Sequence, residues 1–361
     1  MSTIHCPKCK HSSFFKWGFH KNIQCLGGKS LQRYRCRRCQ TLFCQNTTLF
    51  HFRLKKPDPA LNSKIFQAFI HGLSNREIGR FLHISEHCVR GRLDRMSKQA
   101  FVFHNKVLQD ISAIEAIAYD GLENFAGSQY DPNNIQQAIG SESLFIYDFN
   151  FAPLNRKGRM SSWQKKRLLE IEAKHGRYNP SAIRVQSAKI FKRLKALSAG
   201  KLELLSDEHF QYPRALKEAG VKPESHLRIS SKACRNFQNI LFSVNHADLL
   251  ARQRLAVFER ETISFAKTAG RMCQKYALFL LHKNYMCAQF TKRHVKRPRA
   301  HEQSPAQQIG VADRILKFGE IFNGFPGNQE KEELNEDWQF FYDGKVPNDC
   351  LRSLRFKSRA A

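Results

Sequence analysis

Apolar and polar positions along this 361-residue chain change period several times. In residues 13–19 and 31–34 short strand-like runs flank the Gly27-Gly28 pair, which reads as the turn between them. After Pro57-Asp58-Pro59 the period becomes helical. Ile65, Phe66, Phe69 and Ile70 share one face that ends near Gly72. Ser74-Asn75-Arg76-Glu77 has the form of a capping box and predicts a second helix carrying Ile78, Phe81 and Leu82. A tight turn at His83-Ile84-Ser85 leads to a third helix over residues 86–98, with Val89, Leu93 and Met96 recurring on one side. The run 111–119 is apolar and ends at Asp120, and residues 134–139 and 143–151 predict two more strands joined at Gly140-Ser141. Helical segments follow at 161–174 and 180–197, then a strand at 201–206 ending at Asp207, a strand at 226–230, and helices from Asn245 onward.

Charge changes this picture. The chain carries 60 Lys and Arg against 31 Asp and Glu, a formal net charge of +29, which attracts polyanions, nucleic acid first among them. The excess is concentrated. Residues 1–100 hold 19 basic residues against Asp58, Glu77, Glu86 and Asp94, and residues 155–201 hold 14 against Glu170 and Glu172. Two such blocks predict tracked phosphate backbones, since each neutralised phosphate releases counterions. Arg90, Arg92, Arg95 and Lys98 lie on the third helix away from Val89 and Leu93, so helices two and three read as a helix-turn-helix that lays a basic helix in the major groove of double-stranded DNA. The rival reading is a three-helix bundle with a solvated basic face. No apolar run reaches membrane-spanning length, and the first residues lack an apolar leader, so a cytoplasmic protein is expected.

Cys6-Pro7-Lys8-Cys9 and Cys36-Arg37-Arg38-Cys39 are two CxxC turns separated by 26 residues. Each aims two sulfurs at one point, and four thiolates complete the closed tetrahedral shell of a structural zinc. The segment is expected to be a zinc ribbon, with Cys25 and Cys44 as extra apolar thiols and His5 and His11 as weaker ligand alternatives.

Three strands, a helical stretch, two strands and then helices is the order of an RNase H-like domain. Acids at the ends of neighbouring strands in such a sheet, with a third from a crossing helix, make a cage of oxygen ligands for two divalent cations, Mg²⁺ or Mn²⁺, that drive in-line phosphoryl displacement. Asp120 and Asp207 are the first two candidates, with Asp148 and Glu123 as competitors for the first place. For the third acid the candidates are Asp248, Glu259 and Glu261; Asp248 has Arg252 one helical turn on. The expected organisation is multidomain α+β/α/β: a ribbon at 1–56, a helix-turn-helix at 57–105, an RNase H-like mixed sheet flanked by helices at 106–285, and a basic then acidic C-terminal region at 286–361. The basic insert at 155–200 reads as a clamp on DNA or as a plain surface helical hairpin.

These residues carry a family likeness over about residues 5–320. The chain resembles an insertion-sequence DDE transposase of the InsA/InsB type with both halves in one polypeptide. Cys6–Cys9, Tyr34-Arg35-Cys36 to Cys39 and the helices up to Arg95 resemble the first half. Asp120 with Phe125-Ala126-Gly127-Ser128, then Ser206-Asp207, resemble the first two catalytic motifs of the other half. The block Arg252-Gln253-Arg254-Leu255 with Arg260-Glu261-Thr262-Ile263-Ser264-Phe265-Ala266-Lys267 resembles its basic helical motif. Ser304-Pro305-Ala306 to Gly310 is similar to a short C-terminal motif of such enzymes. The resemblance implies binding of the element's terminal repeats and Mg²⁺- or Mn²⁺-dependent 3′-end cleavage and strand transfer into target DNA by Asp120, Asp207 and Asp248. Arg252, Arg254, Arg260 and Lys267 would stand against phosphates. It further implies a homo-oligomer, since two ends are joined, acting at the bacterial nucleoid. The family's third acid is usually Glu, whereas Asn245-x-x-Asp248 supplies an Asp here. A transcription regulator, an RNase H-like nuclease that cuts without joining, and an inactive transposase remnant are the competing functions.

Overall fold

The structure, a computed structural model, describes residues 5–6, 8–9, 11–20, 31–44, 60–111, 114–259, 262–289, 302–322 and 328–352. Near the N-terminus β1 (Phe14–His20), β2 (Leu31–Cys36) and β3 (Leu42–Cys44) form a small antiparallel sheet in that order. Among the described residues its buried core is Cys6, Cys36 and Phe43, with the Phe14 and Tyr34 rings 5.0 Å apart beside them.

Helix α1 (Leu61–Ile70) precedes α2 (Asn75–Phe81) and α3 (Glu86–Gln109). The capping box read from the sequence is present: Ser74 Oγ accepts from Glu77 N, and Glu77 Oε2 accepts from Ser74 N at 2.8 Å. The turn into α3 is tight because residue 79 is glycine; a Cβ there would stand 2.9 Å from the Ile84 carbonyl oxygen. Helix α3 runs 24 residues, well beyond the predicted end at Lys98, because Ala100, Phe101, Val102 and His104 continue its buried face. That face packs on α8 (Ala269–Leu281). His104 is buried with Nδ1 2.7 Å from the Tyr285 hydroxyl and Nε2 3.1 Å from the Tyr147 carbonyl.

The central sheet comprises β4 (Ile117–Phe125), β5 (Pro132–Gly140), β6 (Ile146–Pro153), β7 (Glu203–Asp207) and β8 (Ser225–Ile229) in the order β6-β5-β4-β7-β8. β4 to β6 are antiparallel neighbours, while β7 and β8 run parallel to β4. Between β6 and β7 lie α4 (Ser162–His175) and α5 (Ala182–Leu197); α6 (Gln211–Glu218) joins β7 to β8, and α7 (Phe242–Arg254) follows β8. Alternation sorts the side chains onto two faces. Tyr119 and Gln136 reach Ser187 of α5, at 2.9 Å and 3.0 Å, whereas Gln137 and Asn124 reach α7 and α8. The molecule is thus a mixed α/β fold with helices on both faces of a five-stranded sheet, plus the small cysteine-bearing sheet.

The helices of residues 61–109 pack into the same buried cluster as the sheet, from Leu61 through Phe101. In the C-terminal region, after α9 (Pro305–Gln308), α10 (Phe318–Ile321) and α11 (Asn328–Glu332), α12 (Glu336–Tyr342) buries Trp338 and Phe341 against Phe149 of β6. The acidic stretch includes Asp337, which is buried and joins an ion network. Arg193 of α5 donates to Asp148 at 2.6 Å and to Asp337 at 3.2 Å, and Lys189 donates to Asp337 at 2.9 Å. Removing one partner of a buried network leaves the rest uncompensated. Arg193→Met is therefore expected to cost about 3–5 kcal/mol in urea unfolding. Adding Asp148→Asn should recover part of that loss; no recovery would show that the cost is packing rather than charge.

Candidate catalytic and metal-binding sites

Parallel pairing of Tyr119 with Ser206 sets the next residues along, Asp120 and Asp207, side by side on one face of the sheet. Asp120 is not at the end of its strand as expected: β4 continues to Phe125, and the rim arises because β7, its parallel neighbour, stops at Asp207. On the other flank antiparallel pairing sets Gln137 opposite Asp120. Helix α7 lays Ser243, Ala247 and Ala251, a row of small residues at helical spacing, into the core beneath the sheet. Asp248 follows Ala247 and accepts from Gln137 Nε2 at 2.6 Å, while Gln137 in turn accepts from the Tyr276 hydroxyl of α8. Gln137 therefore ties Asp248 to the strand that pairs with Asp120.

Electrostatics bind the three together. Burial and then the negative charge of Asp207 push the Asp120 carboxyl up to about 7. Burial pushes Asp248 up to about 6, against the Gln137 hydrogen bond and the charges of Arg252 and Arg235. Asp120 Oδ1 accepts from Gly121 N at 2.7 Å, and Asp207 Oδ1 accepts from His209 N at 2.9 Å. Two carboxylates raised in this way favour either a proton or a cation, and a set of oxygen donors suits a hard divalent one.

The competing acids fall elsewhere. Asp148 sits mid-strand on the α5 face, paired with Arg193. Glu123, three residues past Asp120, points to the opposite face of β4. Glu259 is exposed beyond the end of α7, and Glu261 lies outside the described residues.

The predicted cations are only partly assembled. Arg252 stays near Asp248, with its guanidinium donating to the Glu123 and Phe258 carbonyls at 3.0 and 3.3 Å. Arg254 is turned to His282 and Cys287, at 3.1 and 3.7 Å. Lys267 stacks 3.4 Å from the Phe265 ring and lines a cleft of about 550 Å³ whose walls include none of the three acids. Arg260 lies outside the described residues. On α3, Arg90 and Arg95 are exposed, but Arg92 is buried and donates to Asn62 of α1 and to Cys88 Sγ, so it is not on the solvent face that its spacing suggested. Lys98 is half-buried over the Tyr342 ring, 4.8 Å from its centroid. Three residues of the site escaped sequence reasoning: Gln137, Tyr276 and Arg235. Gln137 had a signal, since an otherwise buried strand carries Asn133, Asn134, Gln136 and Gln137 together.

In the small sheet the four predicted thiols converge. Cys6 and Cys39 sulfurs are 3.5 Å apart, as are those of Cys9 and Cys36, and all four lie within 4.8 Å of one another. Zn–S bonds of ~2.3 Å in a tetrahedron require S···S edges of roughly 3.8 Å, so the donor set and its spacing fit a metal such as zinc. Turn geometry makes the cluster: Cys6 N donates to His11 O at 3.0 Å and Cys36 N to Thr41 O at 3.1 Å, folding each CxxC back on itself. The Thr41 hydroxyl beside Cys39 lowers that thiol to about 6, whereas burial raises Cys6 to about 12. His11 Nδ1 instead accepts from Ser13 N at 3.1 Å, and Cys25 lies outside the described residues. Among the described residues these thiols are the one group of three or more candidate ligands drawn so close; the three Asp carboxylates stand wider.

No protein-family model matches the chain, and no curated protein matches it. No helix among the described residues is long and apolar enough to cross a membrane.

Proposed function

We propose that this protein is a DDE-type transposase that binds the ends of an insertion element and carries out metal-dependent cleavage and strand transfer. The observation that carries the reading is the placement of Asp120 and Asp207 on adjacent parallel strands, with Asp248 brought to the same side through Gln137. A sheet of three antiparallel strands extended by two parallel ones, with acids on its first and fourth strands in chain order, is the arrangement of RNase H-like nucleotidyl transferases. When bound, Mg²⁺ or Mn²⁺ would supply positive charge at the scissile phosphate and a lower pKa for the attacking oxygen.

The chain's own residues do the rest. Asp120, Asp207 and Asp248 would hold the cations, Gln137 fixes the Asp248 carboxylate, and Tyr276 fixes Gln137. Arg252 and Arg235 add positive charge beside Asp248 where phosphate oxygens gather charge in the transition state. Because water and then a 3′-hydroxyl is the nucleophile, no Ser, Cys or Tyr attacks. Helices α2 and α3 form a helix-turn-helix that presents Arg90 and Arg95 to DNA, and the zinc-bound ribbon supports recognition of the terminal repeats. Joining two ends requires two or more copies of the chain.

A labelled duplex carrying the DNA that flanks this gene, incubated with Mg²⁺ or Mn²⁺, should be nicked at the repeat boundary and joined to target DNA. Asp248→Asn should abolish both products and Glu259→Gln neither. Cleavage without joining would mean a nuclease, and tight binding without any cut would mean a regulator or an inactive copy.

A further inference from the structure

The basic insert expected between the third and fourth strands is not one object. Helix α5 is part of the core, with Ile190, Phe191 and Leu194 buried against the sheet. Helix α4 is different: none of its 14 residues is buried. Only a stripe of Gln164, Leu168, Ile171 and Glu172 is half-covered, and the polar ties described below gather at its root. Asn155 Nδ2 donates to the Tyr178 carbonyl at 2.9 Å, and Tyr178 N donates back to Asn155 Oδ1 at 3.0 Å, closing residues 156–177 into an arm. Arg156 anchors the same root through the Gln129 carbonyl at 2.8 Å.

A lone helix of this length is marginal in water, and a capping box at Ser161 contributes too little to replace a packed face. The arm carries eight Lys and Arg against Glu170 and Glu172. Those two acids are taken by Arg167 at 2.9 Å and Arg177 at 3.2 Å, so the net charge of the remainder is wholly positive. Lys165, Lys166 and Lys174 are exposed and enter no salt bridge among the described residues. Trp163 projects beside them, 67% exposed.

We infer that residues 156–177 form an arm that grips the phosphate backbone of double-stranded DNA, its helix completed by the duplex it docks on. Charge complementarity selects the partner, because a lone cationic helix facing a second copy of itself would be repelled. The inference rests on the DNA-handling role proposed above, and the test separates the two.

Binding of a fluorescent 30-base-pair duplex of arbitrary sequence is followed by anisotropy across a salt series, using the full zinc-loaded chain without divalent cation. The triple variant Lys165→Ala/Lys166→Ala/Lys174→Ala keeps helix propensity high, and its far-UV circular dichroism serves as the folding control. Loss of three phosphate contacts makes the log affinity against log salt slope shallower by about 2.7. Hydrogen exchange in residues 162–175 of the unmodified chain should slow on adding duplex. An unchanged slope in a folded variant, or no protection of α4, overturns the arm while leaving the transposase reading intact. A change of sedimentation on Trp163→Ala with the slope preserved overturns it in favour of a self-association surface. An unmodified chain that binds no duplex overturns both readings.

Discussion

Without divalent cation at pH 8, Asp120→Asn is expected to melt several degrees higher than the unmodified protein, and with Mn²⁺ to have lost at least about 1000-fold of the cleavage rate. The two effects share one cause. Burial and Asp207 raise the Asp120 carboxyl to about 7 in the folded chain, against about 3.9 unfolded. A raised pKa contributes stability that is complete below the unfolded value and is lost as pH rises through the folded one. The folded chain therefore pays for an ionised Asp120 above pH 7, on the order of a few kcal/mol, and the amide does not. The gap in melting temperature between variant and parent should open between about pH 4 and pH 7 and be closed at lower pH. Adding Mn²⁺ should reverse the order, stabilising the parent and leaving the variant unmoved, because the cation neutralises the repulsion that the substitution removes. Differential scanning fluorimetry over pH, with and without Mn²⁺, reads both arms. A variant less stable than its parent at pH 8, together with a parent indifferent to Mn²⁺, would sink the assignment of these acids as a cation site.

Cys6→Ser should release the metal and unfold the small sheet while leaving the rest of the chain folded. The reason is arithmetic: among the described residues the sheet's buried core is Cys6, Cys36 and Phe43, too little apolar surface to offset the entropy of ordering its strands. Structural zinc in such a segment contributes about 10–16 kcal/mol of apparent binding free energy, which is folding free energy for that segment. Metal analysis should fall from one zinc per chain to none, and limited proteolysis should cut within residues 11–44 while the fragment beginning near residue 60 survives. Affinity for the element's terminal repeats should drop with it. A variant that keeps its zinc, or loses it without becoming cleavable, would show that the four thiols are not the organising centre of this sheet.

Much of this architecture was written in local pattern. Two CxxC turns at a fixed spacing name their own ligand geometry, so the thiol cluster was legible before any fold was known. Ser74 and Glu77 satisfy each other within one helical turn, and a capping box of that kind needs no distant partner. The strands at 203–207 and 225–229 and the helices at 162–175 and 182–197 matched their predicted places closely, because period and turn residues fix an element locally. Tertiary structure decided what depends on residues far apart in the chain. Arg92 shares a helical side with other cations, yet Asn62, 30 positions away, takes it inside. Asp337 lies in an acidic segment that looks solvated until Arg193 and Lys189 arrive from another helix. The placement of Asp248 is the clearest case. Its spacing along the chain does not mark it, and it is Gln137, 111 positions earlier and on a neighbouring strand, that holds Asp248 beside Asp120. Sequence pattern reports which face of an element a residue occupies; what stands opposite that face is set when the elements pack.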